Sequence, residues 1–372
     1  MKLFKESDLR LIVNGASFLA SGGGGSVSAA HNVIDNIMSF SESIYVASVD
    51  ELSSDAKLMM VCGVGAPDAK DMNFKNSPGY AVAAIESMTQ ETFSHVFPIE
   101  VGAMNSVIPM LVCAQKGLVF IDGDGAGRSV PQMSMCTYAE CDFSCSNTIV
   151  VSESNQSFPL HPKNNEQLES QVRNVVSTEL DDIGTTGTWS VTGSEIQKKD
   201  AIVKGSISLA RTIGAAMESG QPLDNVCSAL NSFYPDYKVI MTNAKVIDST
   251  NQVKNGFDIG TVTFQDVNNP LRIQKTFFVN ESLLAAVYEG NQLVSVMIGP
   301  DMLCSMGVDG QPMTNSEICA DFSKGIDVHV SLVWVQAVDA IRTPQMRDAY
   351  IKLIVEKFGD EAKDLILNAS VT

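Results

Sequence analysis

No stretch of this chain is apolar for long enough to cross a membrane. A membrane helix needs about 18 or more consecutive apolar residues, and no apolar run in the 372-residue sequence reaches that length. Residues 1–8 are rich in charge and lead directly into an amphipathic helical pattern, so they lack the apolar core of a secretory signal peptide. We therefore expect no membrane association and a cytoplasmic location.

Positive charge is also scarce. Lysine and arginine total 25 against 43 aspartate and glutamate residues, which gives a formal net charge of −18. An acidic surface repels nucleic-acid phosphates, and the sequence has no basic stripe with interleaved aromatic residues. The charge balance argues against a nucleic-acid partner.

Histidine and the common catalytic motifs are few. The four histidines form neither H-x-x-x-H nor H-x-H, so the sequence does not support a multi-histidine metal site. Cys136, Cys141 and Cys145 lack the spacing of a zinc ribbon, and no second pair completes them. The chain has no G-x-S-x-G elbow of the serine hydrolases. Its eight cysteines are ordinary usage for a reducing compartment.

What the chain does have is apolar content sufficient for large cores. Hydrophobic residues make up 45% and charged residues 18% of the 372 residues. A chain of this length exceeds one comfortable core. We predict two domains, over residues 1–165 and 166–372.

Strand-like and helical segments alternate through the first half. Apolar runs at 43–48, 58–65 and 117–121 alternate with helical patterns at about 79–90 and 103–115. Alternation of this kind is typical of an α/β domain, so we predict a mostly parallel sheet with Rossmann-like layers.

The pattern changes after about residue 146. Residues 146–166 are rich in serine, asparagine and proline, which suits a linker or an exposed hairpin, and residues 181–187 read as turn. From Tyr237 to about Val335, short apolar runs are separated by Asn-Gly, Glu-Gly and Asp-Gly pairs, which are hairpin signals. We predict a β-rich C-terminal domain with flanking helices. The expected helices cover about 166–180, 205–218 and 344–358.

Three polar loops follow strand candidates of the first half. They cover Gly63–Asp68, Glu100–Asn105 and Asp122–Arg128. In a parallel sheet the loops at the carboxyl ends of the strands converge and bind ligands. This coincidence is the strongest indication of a site that the residues themselves give.

A run of four glycines, Gly22, Gly23, Gly24 and Gly25, lies between two helical patterns, the second beginning near Val27. Its backbone N–H groups and the helix N-terminus would favour a carboxylate or phosphate. The run lacks the lysine of a Walker A loop and does not follow a strand as a dinucleotide fingerprint does. The alternative is a flexible connector between helices.

Two aspartates and an arginine lie on the third loop. Asp122 and Asp124 are suited to act as general base, metal ligands or hydrogen-bond acceptors, and Arg128 is suited to hold a planar anion. An EF-hand is excluded because position twelve of the loop is Met133. The alternative is a solvated turn with an ion pair.

Glu100 and Asn105 form a looser pair at the start of the helix predicted near residue 103. They are candidate substrate-binding residues. An acid at a helix N-terminus also complements the helix dipole without any further role, and this alternative stays open.

Taken together and in order, these motifs resemble the S-methyl thiohydantoin desulfurase family, formerly a domain of unknown function associated with hydantoinase/oxoprolinase. The resemblance covers nearly the whole chain. The motifs that carry it are Leu19-Ala-Ser-Gly-Gly-Gly-Gly25, Gly63-x-Gly-Ala-Pro67, Glu100-x-Gly-Ala-x-Asn105, Asp122-Gly-Asp-Gly-x-Gly-Arg-x-x-Pro131, Gly205-Ser-Ile-Ser208, Gly256-Phe-x-x-Gly260, Asn280-Glu281-x-Leu283, Pro300-Asp301 and Asp309-Gly310.

The resemblance implies a cytosolic hydrolase of a 5-substituted S-methyl thiohydantoin or related hydantoin-type ring, which releases methanethiol. Under this hypothesis one of the two loop aspartates activates water and Glu281 protonates the ring nitrogen from the β-rich domain. The candidate catalytic residues are Asp122, Asp124 and Glu281. The candidate substrate-binding residues are Gly22, Gly23, Gly24, Gly25, Glu100, Asn105, Arg128 and Asn280.

The chain departs from the family pattern at two positions. Ala103 stands where the family has the second glycine of E-x-G-G-x-N, and Gln132 stands where a glutamate usually follows the proline. Two alternatives are therefore open, the family's substrate or a different one.

Two other function classes also remain open. One is an accessory subunit that works with an ATP-dependent hydantoinase/oxoprolinase partner. The other is a cyclic amidohydrolase that uses a divalent metal, since no cofactor is certain from the sequence and a metal is possible. A homo-oligomer is possible in either case, and the expected ligand is a small molecule.

Overall fold

The structure is a computed structural model that describes residues 1–65, 74–180, 182–254 and 256–369. Its helices are α1 (Glu6–Leu19), α2 (Val27–Phe40), α3 (Ser77–Thr89), α4 (Ala103–Lys116), α5 (Thr137–Glu140), α6 (Asn165–Glu179), α7 (Gly193–Lys199), α8 (Ser206–Met217), α9 (Pro222–Leu230), α10 (Asn315–Ser323) and α11 (Pro344–Ala369).

The strands are numbered separately from the helices, also in chain order. They are β1 (Lys2–Phe4), β2 (Ile44–Ala47), β3 (Lys57–Gly65), β4 (His95–Phe97), β5 (Val119–Ile121), β6 (Gly123–Asp124), β7 (Thr148–Val151), β8 (Ser157–Leu160), β9 (Ile183–Thr192), β10 (Val203–Lys204), β11 (Tyr237–Lys254), β12 (Phe257–Asp266), β13 (Arg272–Val279), β14 (Glu281–Glu289), β15 (Gln292–Ile298), β16 (Met302–Gly307) and β17 (His329–Val335).

The first sheet has, within the described residues, the strand order β1-β2-β5-β4-β3-β9-β7-β8. Only β2/β5, β5/β4 and β4/β3 pair in parallel, and the remaining neighbours are antiparallel. The predicted α/β class of this domain is confirmed, since helices pack on both faces of the sheet, but the sheet is mixed and not the mostly parallel, Rossmann-like one expected. The parallel pairs form the centre of the sheet, and the antiparallel pairs lie at its two ends, where β1 joins β2 and where β9 and the hairpin strands β7 and β8 extend the sheet from β3. A hairpin connection makes its two strands antiparallel.

Two predictions in the middle of the chain had different outcomes. Residues 146–166 contain the antiparallel hairpin β7–β8, which confirms the hairpin interpretation. Residues 181–187 were expected to be turn. Residue 181 lies outside the described residues, and residues 183–187 instead form the start of β9, which pairs with both β3 and β7. The small residues there serve packing, since a methyl group on Gly187 would lie 2.9 Å from Met59 Cε.

Helices cover both faces of the first sheet. One core lies between the sheet and the helices α1, α2, α3, α4 and α8. The other core lies between the opposite face and the helices α5, α6 and α7. Helices α1 and α8 cross so closely that a methyl group on Gly15 would overlap Ala210 O. None of the described helices combines the length and apolarity needed to cross a membrane.

The second sheet is an antiparallel half-barrel with the strand order β15-β14-β13-β12-β11-β17-β16 in the part of the chain described. This confirms the β-rich unit predicted from the hairpin signals. One face packs against α10, and the other face packs against α11 and the loop that follows β6. That loop therefore lies between the two sheets.

Candidate functional site

The glycine run lies where the two sheets meet. After α1 ends, Gly22, Gly24 and Gly25 adopt positive φ of 86°, 74° and 82°, which side chains other than glycine rarely tolerate. The Gly22 carbonyl accepts a hydrogen bond from Asn315 N at 2.8 Å, and the Gly24 carbonyl accepts one from Met104 N at 3.0 Å. The run is thus fastened to both halves of the molecule.

Gly23 lies directly against the acid at the start of β14. A methyl group built on Gly23 would lie 2.1 Å from Glu281 Oε1, a distance too short for any real contact. Two residues earlier, the carbonyl of Ser21 accepts a hydrogen bond from Ser282 N at 2.7 Å. The absence of a side chain at Gly23 is therefore what leaves room for the Glu281 carboxyl.

A cavity of about 90 Å³ opens between the glycine run and the two sheets. Gly24 and Gly25 line it, and within the described residues their N–H groups have no backbone partner. The polar side chains of its wall are those of Cys62, Glu100, Asn105, Arg173, Asn280 and Glu281, and the apolar ones those of Val64, Phe74, Ile99, Met104, Ile108, Val130, Met133 and Ile183.

Glu100 lies at the N-terminus of α4 and is buried. Its Oε1 accepts Asn105 Nδ2 at 2.8 Å, and its Oε2 accepts the backbone N–H of Val130 at 2.6 Å. Burial raises the pKa of Glu100, while these two hydrogen bonds and the Arg128 charge favour its ionised form. The carboxylate is therefore desolvated but held by donors on two sides.

Asn105 connects Glu100 to the end of β3. Its Oδ1 accepts the backbone N–H of Gly63 at 2.9 Å, while its Nδ2 donates to Glu100. Because both groups of the amide are engaged, its orientation is fixed. The first and second of the three predicted loops are thereby joined in one wall.

Glu281 is the second buried acid of the cavity. Its Oε1 accepts the Ser129 hydroxyl at 2.8 Å, and its Oε2 has no hydrogen-bond partner among the described residues. Burial, followed by the charge of Glu100, raises the pKa of Glu281 to about 8. Ser129 and Val130 are neighbours in sequence, so one short backbone segment holds both carboxyl groups.

The third predicted loop lies behind the cavity and does not line it. Asp122 accepts Ser208 N at 2.9 Å and the Ser208 hydroxyl, near the N-terminus of α8. Asp124 is fully buried and accepts the N–H groups of Ala126 and Gly127 at 2.8 Å each. Burial raises the pKa of Asp124 to about 7. Neither aspartate is the solvated turn residue of the alternative interpretation.

Arg128 is also buried and lies away from the cavity wall. Its Nε donates to Ser129 O at 2.7 Å, and its Nη1 donates to Pro300 O at 2.6 Å and to Asp301 O at 2.9 Å. The guanidinium thus ties the loop that carries Ser129 to the half-barrel.

Asn280 lines the cavity beside Glu281. It has a positive φ of 56°, and its Oδ1 accepts Asp258 N at 2.9 Å. This bond fixes the turn between β13 and β14, from which Glu281 projects.

Two family models match this chain in succession. The model described as "S-Me-THD-like, N-terminal domain" matches residues 7–161, and the one described as "S-Me-THD-like, C-terminal domain" matches residues 163–349. The chain belongs to the S-Me-THD-like family. The resemblance inferred from the motifs is thereby confirmed.

Other comparisons add the fold alone. A crystal structure of a protein from Chromobacterium violaceum is similar to this S-Me-THD-like chain with 22% identity and a TM-score of 0.79. The match covers 96% of this chain and 97% of that one. A search of curated proteins found no match.

Sequence reasoning missed several residues of this S-Me-THD-like site. Ser129 lies inside a recognised motif, but nothing in the motif shows that its hydroxyl reaches Glu281. Arg173, on α6, is held by Glu169 Oε1 at 2.8 Å and lines the cavity, and the i,i+4 spacing of this pair was the available signal. Cys62 also lines it, and burial raises the pKa of its thiol well above the usual value.

The first predicted loop lies only partly within the described residues. Gly63 and Gly65 line the cavity, whereas residues 66–68 of that loop lie outside the described residues. In the part of the chain that is described, no group of three or more His, Cys, Asp and Glu side chains could hold a metal ion. A donor set for a divalent ion is therefore not found there.

Proposed function

We propose that this chain hydrolyses a 5-substituted S-methyl thiohydantoin, or a closely related hydantoin-type ring, and releases methanethiol. The observation that carries the proposal is the pairing of Glu100 and Glu281. Both carboxyl groups line one cavity, and the adjacent residues Ser129 and Val130 hold them. The family to which the chain belongs is named for a thiohydantoin.

The reaction requires one proton to be removed and one to be supplied. Water attacks the ring carbon that carries the S-methyl group, the C–S bond breaks, and methanethiol leaves with one proton. The second proton of the water ends on the ring nitrogen, and the carbon becomes the carbonyl of a hydantoin. Two carboxyl groups in opposite protonation states suit this demand, as in other enzymes with paired acids.

The surroundings of the two acids set these states apart. Glu281, with a pKa raised to about 8, is protonated at neutral pH and donates its proton to the ring nitrogen. Burial raises the pKa of Glu100 as well, but Glu100 receives hydrogen bonds from Asn105 and Val130, which stabilise a carboxylate. Of the two acids, we therefore assign to Glu100 the role of accepting the proton of the attacking water. Placing the base at Glu100 replaces the role expected for Asp122 or Asp124.

The remaining wall positions the substrate. Asn105 and Asn280 face the polar edge of the ring, and the apolar wall receives its 5-substituent. An anionic group on that substituent is received by the N–H groups of Gly24 and Gly25, at the N-terminus of α2. Since one water needs roughly 15 Å³, a cavity of about 90 Å³ suits a small ring and not a segment of a macromolecule.

The direct test is an assay of the purified full chain. Methanethiol release and hydantoin formation are measured with S-methyl thiohydantoins that carry acidic, apolar or no 5-substituents. Equal amounts of both products from at least one compound support the proposal. A folded chain that releases neither product from any compound contradicts it. Elemental analysis of the active protein decides whether a divalent metal takes part.

Location in the cytoplasm belongs to the same proposal. All eight cysteines are free thiols, which suits a reducing compartment. Immunofluorescence or cell fractionation tests this directly.

A further inference from the structure

A second and larger concavity lies on the half-barrel. It has a volume of about 530 Å³ and shares no lining residue with the cavity that contains Glu100. Its walls come from β15 on one side and from β11 and β17 on the other, and the corner Gly299–Asp301 closes one end. We call it the half-barrel cleft.

The charges of the half-barrel cleft are mainly positive. Lys238, Arg342 and Arg347 line it, with Asp301 as the acidic side chain of the lining. The Asp301 carboxylate is already paired, because its Oδ1 accepts hydrogen bonds from Arg342 Nε and from Ala337 N, each at 3.0 Å. The cleft therefore carries an excess of two positive charges on a chain whose net charge is −18.

Two of these cations have no acidic partner. Lys238 and Arg347 are exposed, and neither forms an ion pair with the residues that the structure describes. A concave positive patch on an otherwise acidic protein concentrates small anions and repels acidic surfaces of other copies.

The floor of the cleft is apolar and includes an aromatic ring. Ile240 and Met297 belong to the core between the half-barrel and α10, and Trp334 packs against that core while remaining partly exposed. In the described structure no aromatic ring or cation stacks on Trp334. A partly exposed indole offers a stacking surface for a planar ring.

We propose that the half-barrel cleft is a binding site for a small planar organic anion, namely an aromatic or heteroaromatic ring that bears a carboxylate or a phosphate. The unpaired Lys238 and Arg347 select the anionic group, and the apolar floor with Trp334 selects the ring. The volume falls in the range of small-molecule pockets, about 300–1,000 Å³. The proposal does not depend on the reaction assigned to the other cavity.

Isothermal titration of the full chain tests the proposal. The probes are phenyl phosphate and benzoate, with inorganic phosphate and benzyl alcohol as the anion-only and ring-only controls. At least one of the first two binds, more tightly than either control, and its affinity falls as salt is added. Whichever of phenyl phosphate and benzoate binds more tightly shows whether the site prefers a phosphate or a carboxylate.

Substitutions inside and outside the half-barrel cleft show where the probe binds. The double variant K238Q/R347Q weakens binding of the better probe at least tenfold. The control K352Q, which removes an exposed lysine from the same helix as Arg347, leaves it unchanged. W334F removes most of the fluorescence change that the probe causes in the native chain.

Three results overturn the proposal. They are no binding of phenyl phosphate or benzoate at millimolar concentration, equal affinity of the native chain and K238Q/R347Q, and binding of inorganic phosphate as tight as that of the ring compounds. Equal unfolding midpoints of the variants and the native chain establish that a loss of binding is not a loss of fold.

Discussion

Ser129 and Glu281 are 152 residues apart in the chain, yet the Ser129 hydroxyl donates a 2.8 Å hydrogen bond to Glu281 Oε1. The next residue, Val130, donates its N–H to Glu100. One loop between the two sheets therefore sets the positions of both acids.

Replacement of Glu281 by glutamine removes the proposed proton donor while keeping its size. We expect Glu281→Gln to lower kcat for methanethiol release by about 10²–10⁴-fold, the usual contribution of a general acid. At pH 7 Glu281 is neutral in the folded chain but ionises on unfolding, which the glutamine cannot do, so we expect the variant to unfold at a midpoint no lower than that of the native chain. Glu289→Gln, at the exposed end of the same strand, is the control. Full activity of Glu281→Gln would remove Glu281 from the mechanism.

The pKa of Glu281, raised to about 8, also predicts a pH-dependent stability. An unfolded glutamate has a pKa of about 4.3, so between about pH 5 and pH 8 the folded chain binds more protons than the unfolded chain. The free energy of unfolding therefore falls as pH rises through this window, by up to about 1.4 kcal/mol per pH unit.

Urea titrations at several pH values in this window measure the effect. The native chain loses stability relative to Glu281→Gln as pH increases, since the variant cannot ionise at this position. Parallel curves for the two proteins would show that Glu281 is not the buried, protonated acid described above.

Introduction of a methyl group at Gly23 should displace the Glu281 carboxyl. The built Cβ lies 2.1 Å from Glu281 Oε1, so the acid has to leave its position. We expect Gly23→Ala to lose at least tenfold in kcat/KM and to unfold at a lower temperature. Gly220→Ala is the matched control, because nothing lies within 4 Å of its built Cβ. Equal effects of the two substitutions would show that crowding at Gly23 is not the cause.

Substitution of Asp124 separates a structural role, in which it holds the loop backbone, from a catalytic role. Its carboxylate accepts the N–H groups of Ala126 and Gly127, and an asparagine would point a donor at one of them. We expect Asp124→Asn to lose about 2 kcal/mol of stability, whereas the exposed Asp200→Asn changes little. Thermal unfolding measures both. A variant that is as stable as the native chain but inactive would instead restore the catalytic role expected from the sequence.

The fold could be predicted from the sequence where local periodicity decides it. The helices expected at about 103–115, 166–180 and 205–218 match Ala103–Lys116, Asn165–Glu179 and Ser206–Met217. The antiparallel part of the first sheet could not be predicted, because the glycines at the start of β9 indicated a turn and the strand was missed. Only its neighbours β3 and β7 make it a strand.

The candidate site divides in the same way. Gly24, Gly25, Glu100, Asn105, Asn280 and Glu281 were expected in the site and line one cavity. Asp122, Asp124 and Arg128 looked equally chemical in sequence, but they do not line that cavity, and they bind backbone groups and Ser208 instead. Sequence shows which groups are polar, and only the packing shows which of them face a cavity.

Because Glu100 and Glu281 come from different sheets, the proposed activity depends on the interface between the two sheets. If this interface loosens, the two acids move apart while every helix and strand is still formed. We therefore expect heating to abolish activity before the secondary structure melts, and substitutions at the interface to lower activity without contacting either acid.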